Sequence, residues 1–322
     1  MAIANQSLVN LIAKRLALGV LLLLMISAII FAGTELLPGD VAQSILGQSA
    51  TPEALQNLRL EMGLDRPALE RYLTWLTNIF QGDLGKSLSS GRDISTMIGD
   101  RLSNTLMLAA SAALIAVPLA IFLGLIAVLY RDGLVDKLIS ITTISMISLP
   151  EFFIGYILIL FVAVDLNWLP SSSIVYKGMS IGEQLTAIAL PCITLTLVVL
   201  AHMMRMTRAA ILNVMSSPYI ETAQLKGLSS FKVIFHHAFP NAISPIITVV
   251  VLNLAYLVVG VVVVEIIFVY PGMGQLLVDH VTNRDIPVVQ AVGLIFAAIY
   301  ILLNVFADVM AIIANPRLRH PK

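Results

Sequence analysis

The chain has one cysteine, Cys192, inside an apolar run. No internal disulfide can form, and the residue says nothing of redox compartment; it reads as an inert packed side chain. Charge is equally scarce. Asp, Glu, Lys and Arg make up 12% of the residues, with 19 basic side chains balancing 19 acidic ones. A net charge of zero leaves no basic footprint for nucleic acid. There is no glycine-rich phosphate loop with its lysine, and no metal-ligand spacing. The chain is therefore expected to bind no cofactor and to catalyse no ATP hydrolysis; a nucleotide that drives it must be bound by another subunit. No small-residue cleavage site follows the first apolar run, although Lys14 and Arg15 precede it, and Leu36-Leu37-Pro38 continues the segment. That run is expected to be a retained helix, not a signal peptide.

Apolar residues are abundant instead, at 58%, and the mean hydropathy is +0.94. This composition is that of a polytopic membrane protein. Runs of spanning length, roughly 20 residues each, fall at 16–33, 106–130, 138–162, 187–206, 243–268 and 288–314. The expected fold is an all-α polytopic membrane protein with six transmembrane helices. Pro118 and Pro150 lie inside spans and Pro191 opens the fourth; each removes a backbone donor, as a hinge or as ordinary membrane-helix proline.

Positive residues in short loops set the orientation. With the N-terminus inside, the inner ends carry Lys14, Arg15, Arg131, Lys137, Arg205, Arg208, Lys226, Lys232, Arg317, Arg319 and Lys322, and the short outer loops only Lys177 and Arg284. Both termini are expected in the cytoplasm. The organisation is then an inner N-terminus and first span (1–33), an outer segment (34–104), a core (105–314) and an inner tail (315–322). The outer segment predicts two helices, 52–62 and 67–80, the second with Leu69, Tyr72, Leu73, Leu76 and Ile79 on one stripe. Apolar faces need burial, so the segment is expected to form a small helical cap between the first two spans.

The longest polar break in the second half is 217–240, at the heart of a cytoplasmic loop spanning 213–242. Ser217-Pro218 is a helix start and Gly227 a stop, which predicts a short helix over 218–226. A second helix is expected over 231–239, ending at Pro240. Ile220, Ala223 and Gly227 share one face, small enough for another protein's groove to approach. Glu221 near the N-terminus and Lys226 at the C-terminal end complement the helix dipole, which suits a docking helix and a self-capped interfacial helix equally.

The loop resembles the EAA loop of ABC importer permeases: Glu221-Thr222-Ala223, three residues, Gly227, nine residues, then His237-Ala238-Phe239-Pro240. Thr222, His237 and Phe239 depart from that pattern, in the manner of the dipeptide/oligopeptide/nickel branch. Further marks of the branch are Pro38-Gly39-Asp40, Gly63-Leu64-Asp65, Arg71-Tyr72, Gly82-Asp83-Leu84-Gly85, Glu265-Ile266-Ile267-Phe268, Pro271-Gly272-Met273-Gly274, Arg284-Asp285-Ile286-Pro287 and Asn315-Pro316-Arg317-Leu318-Arg319, where the family usually has Asp at 315. The resemblance implies a type I importer permease of the inner membrane, the B-type subunit pairing with a C-type permease. It implies two cytoplasmic ATPase subunits that carry ATP and Mg, a periplasmic solute-binding protein, and inward transport of di- or oligopeptides or a related compound. It makes Ile220, Glu221, Ala223, Lys226, Gly227 and Pro240 the ATPase-coupling residues.

Candidate pathway residues are Pro150, Glu151, Glu265 and Asp308. Glu151 sits in the middle third of the third span, where the family usually has a small or apolar residue. A carboxylate there is costly; it either meets a cationic group such as a peptide amino terminus or makes an interhelical hydrogen bond as the protonated acid. Glu265 is expected to pair with Arg284 or with a partner subunit, and Asp308, which shares a face with Asn304, with Arg205 or Arg208. His202 reads as buried and hydrogen-bonded, and His236-His237 diverge too far to share a metal. Two other classes stay open: an ion-gradient-driven secondary transporter, which would show inverted repeats, and a membrane-embedded enzyme, which would need a nucleophile and base at paired depths.

Overall fold

The computed structural model describes residues 2–36, 42–43, 51–61, 63–176 and 178–314. Pro38-Gly39-Asp40, Met62, Lys177 and the tail from Asn315, with Arg317, Arg319 and Lys322, lie outside them. Among the described residues the chain is helical apart from one antiparallel bridge, Lys86 to Asp93. The helices are α1 (Ala2–Glu35), α2 (Pro52–Glu61), α3 (Ala68–Phe80), α4 (Ile94–Leu129), α5 (Leu134–Ser148), α6 (Glu151–Leu158), α7 (Ile181–Met215), α8 (Pro218–Leu225), α9 (Ser230–Lys232), α10 (Phe239–Ile267), α11 (Met273–Thr282) and α12 (Ile286–Ala314).

Five stretches are long and apolar enough to cross a membrane: Ile12–Glu35, Ile94–Leu129, Ile181–Met215, Ser230–Val258 and Ile286–Ile312. The third expected span is not one rod. Helix α5 stops at Ser148, and α6, prolonged by a π-helical turn over Ile159–Asp165, starts at Glu151 after a bend of 104°. Leu149 is extended because it precedes Pro150, and Pro150 has no N–H to continue α5. Pro118 and Pro191, by contrast, lie inside unbroken helices. The fourth span opens at Ile181, before Pro191. Ser180 and Glu183 form a reciprocal capping box there, which extends the helix beyond its apolar run.

The core is built on α4, α7 and α10. Ala112, Ala116 and Ala120 of α4 are fully buried, and Gly124 continues the row; a Cβ there would lie 2.9 Å from a Thr207 methyl of α7. Small residues at this spacing let two membrane helices approach closely. Helix α1 packs along α12, Gly19 facing Ile301 and Val305. Tyr72 and Trp75 of α3 pack against Phe31 of α1, Tyr72 edge-on and Trp75 tilted, the Tyr72 hydroxyl bonds Ser27 at 2.9 Å, and Arg71 pairs through both ends of its guanidinium with Glu35. Of the expected α3 stripe, Leu69 and Leu73 are exposed.

Candidate coupling loop and pathway residues

Helix α8 begins at Pro218 and stops at Gly227, whose φ of +77° is the left-handed conformation glycine takes most easily. The Ser217 side chain does not cap it; the Ser217 carbonyl accepts the Ile220 and Glu221 N–H groups instead. Ile220 and Ala223 are buried, packed with Leu125 and Val128 of α4, Ala210 and Ile211 of α7, and Ala242 and Ile246 of α10. The small-residue face is thus taken by the chain itself. The outward face carries Tyr219, Glu221, Thr222 and Lys226, with Leu225 83% exposed.

The second short helix does not end at Pro240. It runs from α9 through a π-helical turn, Val233–Ala238, into α10, with Pro240 in the first turn of α10, where a missing N–H costs little. Tyr219 and Asn241 both donate to the His237 carbonyl. This ties α8 to the start of α10.

Glu265 is fully buried at the end of α10, where its carboxylate takes hydroxyl and backbone donors of this chain. Thr105 of α4 donates to one carboxylate oxygen at 2.6 Å; the Gly274 and Gln275 N–H groups donate to the other at 2.7 and 3.3 Å. Thr105 in turn accepts the Met273 N–H at 2.8 Å. Three otherwise orphaned donors at the start of α11 are thereby met by side chains from two spanning helices. Gly272 is obligatory, since a Cβ there would fall 2.0 Å from the Glu265 carboxylate. Buried Tyr270 donates to the Asn104 carbonyl at 2.9 Å. Burial, then the Glu265 charge, push its phenol well above the usual range, which keeps it a donor.

Asp308 pairs with Arg15 of α1 at 3.0 Å, not with Arg205 or Arg208. Arg208 is held instead by Asp136 of α5, in two bonds of 2.9 and 2.8 Å. His202 is exposed, not buried. Glu151 lies at the α5–α6 break, with one carboxylate oxygen buried and unpartnered. The structure therefore does not gather Glu151, Glu265 and Asp308 into one site.

Sequence reasoning quoted Asp285 only within a motif and gave it no role of its own. It is 1% exposed and accepts four bonds, from the Ser87 and Ser89 hydroxyls at 2.6 and 2.8 Å and from the Leu88 and Ser89 N–H groups at 3.1 Å each. Burial alone would raise its pKa; the Ser87, Leu88 and Ser89 donors outweigh it and hold the carboxyl below its usual value. The serine run after Gly85 was the available signal. Among the described residues no group of three or more His, Cys, Asp or Glu side chains could hold a metal ion.

Residues 116–320 match the family described as binding-protein-dependent transport system inner membrane component, and residues 8–109 match its membrane component N-terminal region. The chain belongs to this family. A probable peptide ABC transporter permease protein of Sinorhizobium fredii is 34% identical, over 96% of this chain and 99% of that protein. A putative peptide transport system permease protein of Brucella abortus is 36% identical over 96% and 99%. The glutathione transport system permease protein of Escherichia coli K12 is 35% identical over 97% and 99%. The expectation of an ABC importer permease subunit is thereby borne out, and the subunit itself is not an enzyme. Family context implies a complex with ATPase and binding-protein partners.

Proposed function

We propose that this chain is the B-type permease of a peptide-class importer, forming half of the translocation pathway beside a C-type permease. ATP and Mg are carried by two cytoplasmic ATPase subunits, a periplasmic binding protein delivers the solute, and lipid covers the rest of the belt. The names of the relatives support peptides or a glutathione-like compound as cargo. Both termini lie in the cytoplasm, and the segment from α2 to α4 forms an outer cap. Membership in the family removes the ion-gradient-driven reading.

The observation that carries the coupling role is the division of α8 into two faces. Its inner face is locked by Ile220 and Ala223 into the ends of three spanning helices. Its outer face presents Glu221, Lys226 and a bare Leu225. Close-packed interiors transmit displacement, so an ATPase that seats α8 and moves it also moves α4, α7 and α10. Gly227 ends the helix, and Pro240 starts α10 on the same rigid cluster. Leu225 is almost wholly exposed, so Leu225→Asp should insert and fold normally. It should lower ATP-driven uptake in proteoliposomes by about tenfold or more, the loss typical of a desolvated interface anchor, and release the ATPases on purification. Unchanged uptake with the ATPases retained would sink the assignment.

A further inference from the structure

The α5–α6 break carries an acid with one oxygen unpartnered among the described residues. Pro150 offers no N–H to the last turn of α5, which ends here with the negative end of its dipole at the break. The Glu151 carboxylate stands at the same corner. Its Oε2 is buried with no hydrogen-bond partner among the described residues. It lies against Gly260 of α10, where an added Cβ would be 3.1 Å from that oxygen. Tyr256 flanks the same glycine, its ring 3.6 Å from that Cβ position, and is 48% exposed. Gly260 is about 10 Å along α10 from Ile267 by helical rise, just past the apolar stretch Ser230–Val258. Ionisable groups on membrane-spanning helices face a bundle interior or a water-filled cavity, not lipid.

A carboxylate, the negative end of the α5 dipole and the Tyr256 ring meet at this corner, each attractive to a cation. From this geometry we infer that Glu151 and the α5–α6 break form a cation subsite on the translocation pathway, which receives the primary ammonium of the transported solute. An ammonium brings three donors to the Glu151 carboxylate and the broken helix end. The subsite rests on the importer reading above and makes the cargo amine-bearing.

The test uses the whole importer in proteoliposomes. Cys192, the one native cysteine, is buried, so Tyr256→Cys can report on the site. With Glu151 present, the reporter should react about tenfold faster with a trimethylammonium thiosulfonate than with its sulfonate analogue, the enrichment expected of a focused field. Glu151→Gln should remove most of that preference. In uptake, with tri-alanine and glutathione as probes, Glu151→Gln should cut accumulation by about tenfold while ATP hydrolysis stimulated by the binding protein is retained. Retained hydrolysis separates this result from a failure of coupling at α8. A reporter that reacts with neither reagent, a preference that survives Glu151→Gln, uptake that does not fall, or a wild-type importer that accumulates neither amine would each overturn the subsite.

Discussion

Single residues in this protein do their work mostly as hydrogen-bond acceptors for someone else's backbone. Glu265 and Thr105 together satisfy the first N–H groups of α11. Glu265→Ala would leave two buried donors and one part-buried donor facing no acceptor, so a loss of about 3 kcal/mol is expected, read as a lower melting temperature of the purified complex. Gly272→Ala should be as damaging, because its methyl group and the Glu265 carboxylate would claim the same space. A near-normal melting curve for either variant would contradict the capping role. Gly227 is the opposite case. Open space surrounds it, so Gly227→Asp meets no neighbour and strains only the left-handed backbone, to which Asp is more tolerant than most. The protein should therefore insert, and a loss of uptake in it would come from the outward surface of α8.

At the scale of elements, the segment between α3 and α4 is held down through Asp285. Its folded pKa lies below the ordinary 3.8. A depressed carboxylate contributes its stability in full above the unfolded value and loses it as pH falls through the folded one. The loop at Ser87–Ser89 should therefore stay protected from protease through neutral and mildly acid pH and loosen only below about pH 4. Asp285→Asn, which turns one acceptor into a donor facing Ser87 and Ser89, should expose the loop to cleavage at neutral pH; an unaltered digestion pattern would argue against the latch. The pairing joins residues nearly two hundred positions apart, so periodicity could not have found it. The same holds for Asp136 with Arg208, and for Asp308, whose partner is Arg15 of α1 and neither of the expected Arg205 and Arg208 of α7.

For the whole molecule, the two ends of the bundle differ. One end holds α8 with its tie to α10; the other holds α3, the Asp285 latch and α11. Opposite sides of the membrane are expected for them. In right-side-out vesicles made with the Cys192→Ser background, Asp83→Cys should react with an impermeant thiol reagent and Lys226→Cys only after permeabilisation. The reverse pattern would overturn the proposed orientation. Spanning α4, α7 and α10 meet α8 in one apolar cluster, so motion at one end reaches the middle of the molecule, where the α5–α6 corner and Glu151 sit against α10.

The sequence by itself determined that the chain is a helical membrane protein, which segments are apolar enough to span, where α8 starts and stops, and the family to which it belongs. The first three follow from hydropathy, period and local caps, which act over a few neighbouring residues; the family follows from motifs spaced along nearly the whole chain. Only the tertiary structure decided that the Ile220–Ala223 face is internal and Leu225 external, that Glu265 caps α11, that Asp285 latches a distant loop, and that Pro150 breaks its span where Pro118 and Pro191 do not. Burial and partnership depend on which helix lies alongside, and the packing of one helix on another is not written in either alone.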